Sequence, residues 1–512
     1  MHPPEPGPIL DGDELRRTVA RAAEWIARYW ERVDELPVLA QVRPGDVLGR
    51  LPDHPPETGI AQGVDSWDRV FEDLDRIILP GLTHWQSPRF FAYFPANIST
   101  PAVIGELLSA GLGVQGMLWV TSPACTELET RVLDWMAELI GLPDSFRSTS
   151  PSGGGVIQGT ASEATLSALA AGRERVRRAA GPERVRDRLT LYAGEEAHSS
   201  VVKAAMVAGL AEGPEDRRRV RLIAVDDRGA MRPEALEDSL RRDVAAGLFP
   251  CFVCATVGTT GTTAVDPVRE VAGAIAAACP SENRPWLHVD AALAGSACVC
   301  PEFRWMLDGV EHADSLCFNP HKWLLTNFDC DCFFTRDREG LVRAHAITPE
   351  YLRNRASESG AVFDYRDWHV PLGRRFRALK LWLVVRYFGA EGLRGHIRRH
   401  VELARLFEDL VRRDARFEVV TPRVLNLVCF RLVHPDDTRG RFEAGDAANL
   451  RLLEAVNATG RVYLTHTSVP GRYGRRVSLR LSTGSVTTGR GDVEEAWALL
   501  REHAAEALGS SS

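Results

Sequence analysis

The sequence predicts an α/β protein. It has a large domain on a mainly parallel sheet, an N-terminal helical arm, and a small α+β domain at the C-terminal end. Three patterns carry this reading. Apolar residues at Leu15, Val19, Ala22, Ile26, Trp30 and Val33 recur at helical spacing, and a Pro-rich connector from Pro44 to Pro56 follows them. From about Thr100 to Gly392, short apolar runs alternate with helical stretches, as in a parallel sheet covered by helices. Beyond that, strand-like runs lie between two helical segments. The expected parts are an arm over 1–99, a large domain over 100–392, a small domain over 393–508 and a tail over 509–512.

Element by element, the arm holds a helix over 12–35 and a second from about Val64 to Ile78. It has no core of its own, so it must pack on something else, and a partner subunit is one candidate. The buried strands of the large domain read at Leu189–Tyr192, Val220–Ala224, Cys251–Ala255 and Trp286–Val289. Helices read at Pro233–Ala246 and Asp266–Ala278. A helix near Leu379–Phe388 leads to the small domain, which opens with a separate helix, Ile397–Arg412. Strands follow at Phe417–Val420, Leu425–Leu432, Val462–Thr465 and Val477–Leu481, and a helix at Asp492–Leu508 closes the domain.

Composition narrows the function classes. The 512 residues are 45% hydrophobic, enough for a large core, and the net charge of −7 comes from intermixed signs. No basic stripe points to nucleic acid. No run of about eighteen apolar residues points to a membrane span, and Met1–Leu10 lacks the apolar core of a signal peptide. The expected location is the cytosol. Ten cysteines include Cys251-x-x-Cys254, Cys298-x-Cys300 and Cys330-x-Cys332. Cys251–Cys254 lies in an apolar run without the turn residues of a zinc knuckle, so these read as small buried hydrophobes and no metal site is expected.

The chemistry-bearing motifs come in a telling order. His288-Val289-Asp290-Ala291-Ala292 precedes Phe318-Asn319-Pro320-His321-Lys322-Trp323. A lysine after a short turn, with an aspartate at the end of an earlier buried strand, is what pyridoxal phosphate (PLP) chemistry needs. The lysine forms a Schiff base with the cofactor aldehyde, and the aspartate keeps the pyridine nitrogen protonated. Gly153–Gly155 and Gly159-Thr160-Ala161-Ser162-Glu163 run into an Ala-rich helix whose N-terminus suits a phosphate. Thr160 and Glu163 have the spacing of a capping box. The loop lacks Gly-Lys-Ser/Thr, which argues against a nucleotide P-loop. Thr260, like Asp290, follows an apolar run, where ligands of such sheets bind. His198, after the run 189–192, is placed to stack on the cofactor ring. Tyr351 lies in a polar stretch whose composition suits a lid, from which it could donate a proton. Trp85 to Pro95 is dense in aromatics, either core packing or a pocket for a flat substrate.

Together these stretches resemble the group II PLP-dependent amino-acid decarboxylases, in particular the aromatic-L-amino-acid decarboxylases. The likeness runs from about Asp13 to Ala504. It includes Phe91–Pro95, Ser122–Glu129, His198–Ser200, Gly258–Thr260, Asn319–Leu325 and Pro371–Arg377. It implies a type I PLP fold and a homodimer with the arm wrapped around the partner. It also implies roles: Lys322 as covalent anchor, Asp290 on the pyridine nitrogen, His198 stacked on the ring, and Tyr351 as proton donor. Ala161, Ser162, Asn319 and His321 are implied near the phosphate, and Thr260 and Ala292 along the cofactor pocket. Trp85, Tyr93, Phe94, Pro95, Ala96, Met117 and Gly373 are the expected substrate pocket. Three residues depart from the animal dopa-decarboxylase pattern. Ala96 stands for a Thr, Met117 for a Phe expected to reach across the dimer, and Leu293 for a Tyr, which argues against dopa in particular. Gly373 matches the glycine that goes with indole substrates in plant relatives and points toward tryptophan.

The expected reaction is decarboxylation of tryptophan, phenylalanine, tyrosine or dopa to the arylalkylamine. The alternative is an aromatic acetaldehyde synthase on the same scaffold, expected where the lid tyrosine or the stacking histidine is lost. An acidic-substrate decarboxylase fits the aromatic segment poorly. An aminotransferase would lack this lid, and a cofactor-free scaffold would have lost Lys322, Asp290 or Tyr351.

Overall fold

The computed structural model describes residues 10–57, 59–60, 65–347, 362–438, 441–471 and 473–509. Helix α1 (Gly12–Arg32) starts on Asp11, whose carboxylate accepts from the amides of Asp13 and Glu14. None of its residues is fully buried. Helix α2 is shorter than expected, Trp67–Asp73, and widens into a π-helical turn at Leu74–Ile78. The arm continues into the body through Val38, which pairs with Gly460 and His84.

The large sheet comprises β1 (Gly154–Gln158), β2 (Leu189–Gly194), β3 (Val220–Ile223), β4 (Phe249–Thr256), β5 (Trp286–Asp290), β6 (Ser315–Phe318) and β7 (Asp331–Thr335). Their order is β1-β7-β6-β5-β4-β2-β3. The β3, β2, β4, β5 and β6 neighbours pair in parallel, and β7 runs antiparallel between β6 and β1. Six of the seven strands are buried along most or all of their length, because helices cover both faces. That double burial explains why they read as unbroken apolar runs.

Helices α3 (Thr100–Leu112), α4 (Pro123–Ile140) and α5 (Ala161–Ala180) flank the sheet. Helix α5 crosses it on a stripe of small residues, Ala164, Ala168, Ala171 and Gly172. At Gly172 an added Cβ would lie 2.8 Å from Trp286 Cβ and against the Cys251 carbonyl, so only glycine permits this approach. All ten cysteines are buried free thiols, including Cys251 and Cys254 within β4.

The small sheet is antiparallel throughout, in the order β10-β11-β9-β8. Its strands are β8 (Phe417–Val419), β9 (Leu427–Leu432), β10 (Thr465–Val469) and β11 (Arg476–Ser482). β10 begins where the expected strand 462–465 ends. Val462 and Leu464 are buried instead in the core under the sheet, and Tyr463 forms a bridge to Phe90. The two helices expected at 379–388 and 397–412 both lie within Arg377–Arg412 and meet at a kink at Gly389, which is non-helical with φ 61° and ψ 179°. Only glycine enters that conformation without strain, so the break stays confined to one residue. Among the described residues, no helix is long and apolar enough to cross a membrane.

Gly172→Ala should lower stability by roughly 1–3 kcal/mol through overpacking between α5 and the sheet. Urea denaturation of the variant against the parent protein measures this.

Candidate active site

β5 and β6 stop at the same edge of the sheet, and their ends are stitched together. Asn319 N donates to Ala292 O at 2.9 Å, and Ala291 N donates to Cys317 O at 3.0 Å. This brings Asp290 and the short helix Pro320–Trp323, with Lys322, into one cleft. Asp290 is buried, and its Oδ1 accepts from Ala292 N at 3.0 Å, which leaves Oδ2 for a ligand. The Lys322 amine has no ion-pair or hydrogen-bond partner among the described residues. It lies 5.6 Å from the centre of the Phe94 ring. Burial lowers its pKa, against the opposing pull of Asp290.

His198 sits in the turn between β2 and the helix Ser200–Val207, facing the same cleft. Its Nδ1 accepts from Ser200 N at 3.2 Å, so in the neutral ring Nε2 carries the proton. Partial withdrawal from water lowers its pKa and the nearby Lys322 adds to this, while Asp290 works the other way. His321 is buried, and its Nδ1 accepts from Cys330 N at 3.0 Å. Burial first, then Lys322, push its pKa down to about 3, so it is neutral. Thr260 follows β4 in a turn that depends on Gly258, at φ 87°, where a Cβ would meet Ala294 Cβ at 2.8 Å.

The α5 N-terminus opens at the same edge with Ala161 and Ser162 in its first turn. The expected capping box does not form. Thr160 makes no side-chain cap, and Glu163 Oε2 instead accepts from Gly159 N at 2.9 Å. Glu163 turns away because its other oxygen is held by His369 Nδ1 at 2.9 Å.

A sequence profile of the pyridoxal-dependent decarboxylase conserved domain matches residues 52–433. The chain belongs to the pyridoxal-dependent decarboxylase family. It is 45% identical to tryptophan decarboxylase 2 of Oryza sativa subsp. japonica over 98% of this chain and 96% of that protein. It is 46% identical to phenylacetaldehyde synthase of Arabidopsis thaliana over 98% of this chain and 97% of that one. The crystal structure of Oryza sativa TDC with PLP and tryptamine superposes with a TM-score of 0.91 at 42% identity, covering 98% and 99% of the two chains. The decarboxylase fold is therefore type I, and its cofactor is PLP.

The residues of this decarboxylase fit that cofactor. Lys322 offers an unpaired amine, Asp290 an open carboxylate oxygen for a pyridinium N–H, and the α5 N-terminus unpaired amides for a phosphate. Asn319 Oδ1 is sealed from solvent without a partner, a sign of a polar site arranged for more than the protein alone. Tyr351 lies outside the described residues.

The expected substrate residues fall into two groups. Phe94 and Pro95 are buried beside Lys322, and the Ala96 carbonyl accepts from Gln86 Nε2 at 2.7 Å. Asn97 N bonds His321 O at 2.9 Å, tying this segment to the lysine turn. Trp85 and Tyr93 stack at 5.7 Å at the outer end of the same segment. Tyr93 adopts φ 51° and its hydroxyl meets that of Tyr463 at 3.3 Å. Met117 and Gly373 form the second group. Gly116 N donates to Arg374 O, Gln115 Oε1 accepts from Arg374 N, and these contacts hold the two segments to each other rather than to Lys322.

Sequence reading missed two arginines. Arg480 on β11 is buried and stacks 5.3 Å from the Phe94 ring centre. It donates to the carbonyls of Thr260 at 2.7 Å and Gly261 at 3.0 Å. It thus fixes the Thr260 turn from the small sheet. Arg374 is buried with Glu129, their closest contact being 2.6 Å, and its Nε donates to His369 Nε2 at 2.8 Å. Through His369 and Glu163 it reaches the Gly159 amide, so a chain of buried polar groups holds the phosphate loop. The signal for Arg374 was its place in Pro371–Arg377, while Arg480 sits in an ordinary strand pattern.

Arg374→Met should cost about 3–5 kcal/mol, because Glu129 is left buried without its cation. The combined change with Glu129→Gln should cost less than the sum of the two alone, measured as a double-mutant cycle in urea.

Proposed function

We propose that the chain removes the α-carboxylate of an aromatic L-amino acid (tryptophan, phenylalanine, tyrosine or dopa) and releases the arylalkylamine and CO2. The observation that carries this reading is the Lys322 amine, unpaired and 5.6 Å from the Phe94 ring, in the cleft that also holds Asp290 and His198. An aromatic wall beside the anchoring amine suits a flat side chain. The Oryza sativa relative, named as a tryptophan decarboxylase, supports the same class.

When bound, PLP supplies the sink for the electron pair left at Cα as the carboxylate departs. The chain's residues do the rest. Lys322, its amine made more readily neutral by burial, would hold the cofactor as its nucleophilic anchor. Asp290 accepts the pyridinium N–H and so keeps that proton in place. His198 would lie over the cofactor ring, with its Nε2–H free to meet the substrate. Phe94, with Trp85 and Tyr93 beyond it, sets the plane of the side chain, which orients the carboxylate for departure. Tyr351 delivers the proton to Cα.

The same reading includes a cytosolic homodimer. Ten buried free thiols fit a reducing compartment. Helix α1 leaves Leu15 61% exposed and has no fully buried residue, which fits an arm that wraps a partner. Met117 and Gly373 would then complete the partner's site rather than their own.

The competing outcome is aldehyde formation, because identity to the phenylacetaldehyde synthase is as high as to the decarboxylase. His198 and Tyr351 are the residues on which decarboxylation rests. The PLP-loaded protein is assayed against aromatic and acidic L-amino acids, reading CO2, amine and peroxide together. Amine equal to CO2 without peroxide is expected, whereas aldehyde with peroxide would replace this reading by the synthase. Lys322→Ala should reduce amine formation to background, and undiminished turnover would sink the assignment. Tyr351→Phe should shift product from amine to aldehyde, ammonia and peroxide. An unchanged product ratio removes Tyr351 from its role.

A further inference from the structure

Three adjacent strands end in a row of polar side chains that the reaction above does not use. Gln158 ends β1, Asn319 follows β6, and Asp331 begins β7. The register pairs Gln158 with Asp331 and Phe318 with Cys332, so Asn319 stands opposite Asp331 one step beyond the ladder. Directly paired residues project to the same face of a sheet. That face is the one under α5. Val156, Cys317 and Phe333, two positions along each strand, pack in one cluster with Ala161, Ala164 and Ala168. Gln158 and Asp331 are fully enclosed, and Asn319 is 2% exposed.

Among the described residues, Gln158 Oε1 and Nε2, both Asp331 oxygens and Asn319 Oδ1 have no hydrogen-bond partner. Each unmade bond costs about 1–3 kcal/mol. Four of these five atoms are acceptor oxygens, and the Gln158 amide nitrogen is the one donor. An ionised Asp331 adds only acceptors and a buried charge. A protonated Asp331 supplies the missing donor.

We propose that Asp331 is a positioning residue for the cofactor phosphate. As a neutral acid, it supplies the donor that Asn319 Oδ1 lacks, which turns the N–H edge of Asn319 toward the phosphate at the α5 N-terminus. This rests on PLP occupying the cleft described above.

The surroundings favour the neutral form. The groups that act on Asp331 are Glu163 on α5, Cys317 on β6, Lys322 in the lysine turn, Asp290 on β5 and the chain neighbours Cys330 and Cys332. β1 brings only Gln158, which does not titrate. Burial raises its pKa well above the usual carboxylate value, with Cys330, Asp290 and Glu163 adding to the rise and Lys322 opposing it. A proton held this way is present at low pH and leaves as pH climbs through the raised pKa. Its loss sets an anion beside the phosphate dianion and removes the donor to Asn319. Cofactor binding therefore weakens with rising pH.

The test titrates apoenzyme with PLP and with pyridoxal, which lacks the phosphate, between about pH 5 and 9, bracketing the ordinary carboxylate and approaching the lysine range. The ratio of the two affinities isolates the phosphate end. For the unmodified enzyme this ratio should fall at least about tenfold as pH rises, equivalent to about 1.4 kcal/mol. Asp331→Asn, an isostere of the neutral acid, should match the low-pH ratio and stay flat. Asp331→Leu should lower PLP affinity at every pH and leave pyridoxal binding unchanged. The infrared carbonyl band of a protonated carboxylic acid should be present in the unmodified enzyme at neutral pH and absent in Asp331→Asn, a readout that needs no stable variant beyond the comparison. An equal pH slope for Asp331→Asn and the unmodified enzyme, or no such band in the unmodified enzyme, overturns the proposal. An unmodified apoenzyme that binds pyridoxal but not PLP overturns it too. Failure to bind either compound strikes the cofactor assignment itself, and the proposal falls with it.

Discussion

The Lys322 amine has no paired carboxylate among the described residues, and its withdrawal from water lowers its pKa. This arrangement is costly in a fold whose buried charges are normally paired, and the surrounding structure holds it in place. Asp290 is near enough to pull on its charge yet spends one oxygen on the Ala292 amide. The backbone of Asn319 and the Asn97–His321 bond fix the turn that carries it. An amine kept reactive and a carboxylate kept open are what a pyridinium aldehyde requires of its host.

The phosphate end shows the same economy of buried polar groups. Helix α5 provides the amides, but its first turn is set from outside by a chain running from Glu129 through Arg374 and His369 to Glu163 and Gly159. Beneath it lies the row of Gln158, Asp331 and Asn319. The loop is thus gripped from two sides, by an ion pair buried against β1 and by side chains at the strand ends. The small sheet adds a third hold through Arg480, whose guanidinium ties the Thr260 turn to β11 while covering Phe94. Domain packing and cofactor geometry are therefore one problem in this molecule.

The two groups of expected substrate residues bear on assembly. Phe94 shares the cleft with Lys322, whereas the segments that carry Met117 and Gly373 are tied to each other through Gln115, Gly116 and Arg374. In the proposed homodimer, a second copy would complete the wall that is split in this way.

By itself, the sequence determined the α/β class and four of the seven strands of the large sheet, β2 to β5, and it marked Asp290, His198, Lys322 and the α5 N-terminus as chemistry-bearing positions. Those features are local. Strands buried on both faces are written as apolar runs, and cofactor chemistry demands fixed residue types at strand ends. Tertiary structure alone decided three things. Gly389, at φ 61°, sets the kink at which the two helices read from periodicity meet end to end within Arg377–Arg412. Glu163 serves Gly159 rather than a Thr160 cap, because His369, 206 residues away in sequence, captures its other oxygen. Asp331, Arg480 and Arg374 gained their roles from neighbours on other strands and helices. Burial, register and long-range hydrogen bonds set such roles, and none of these leaves a period or a spacing in the chain.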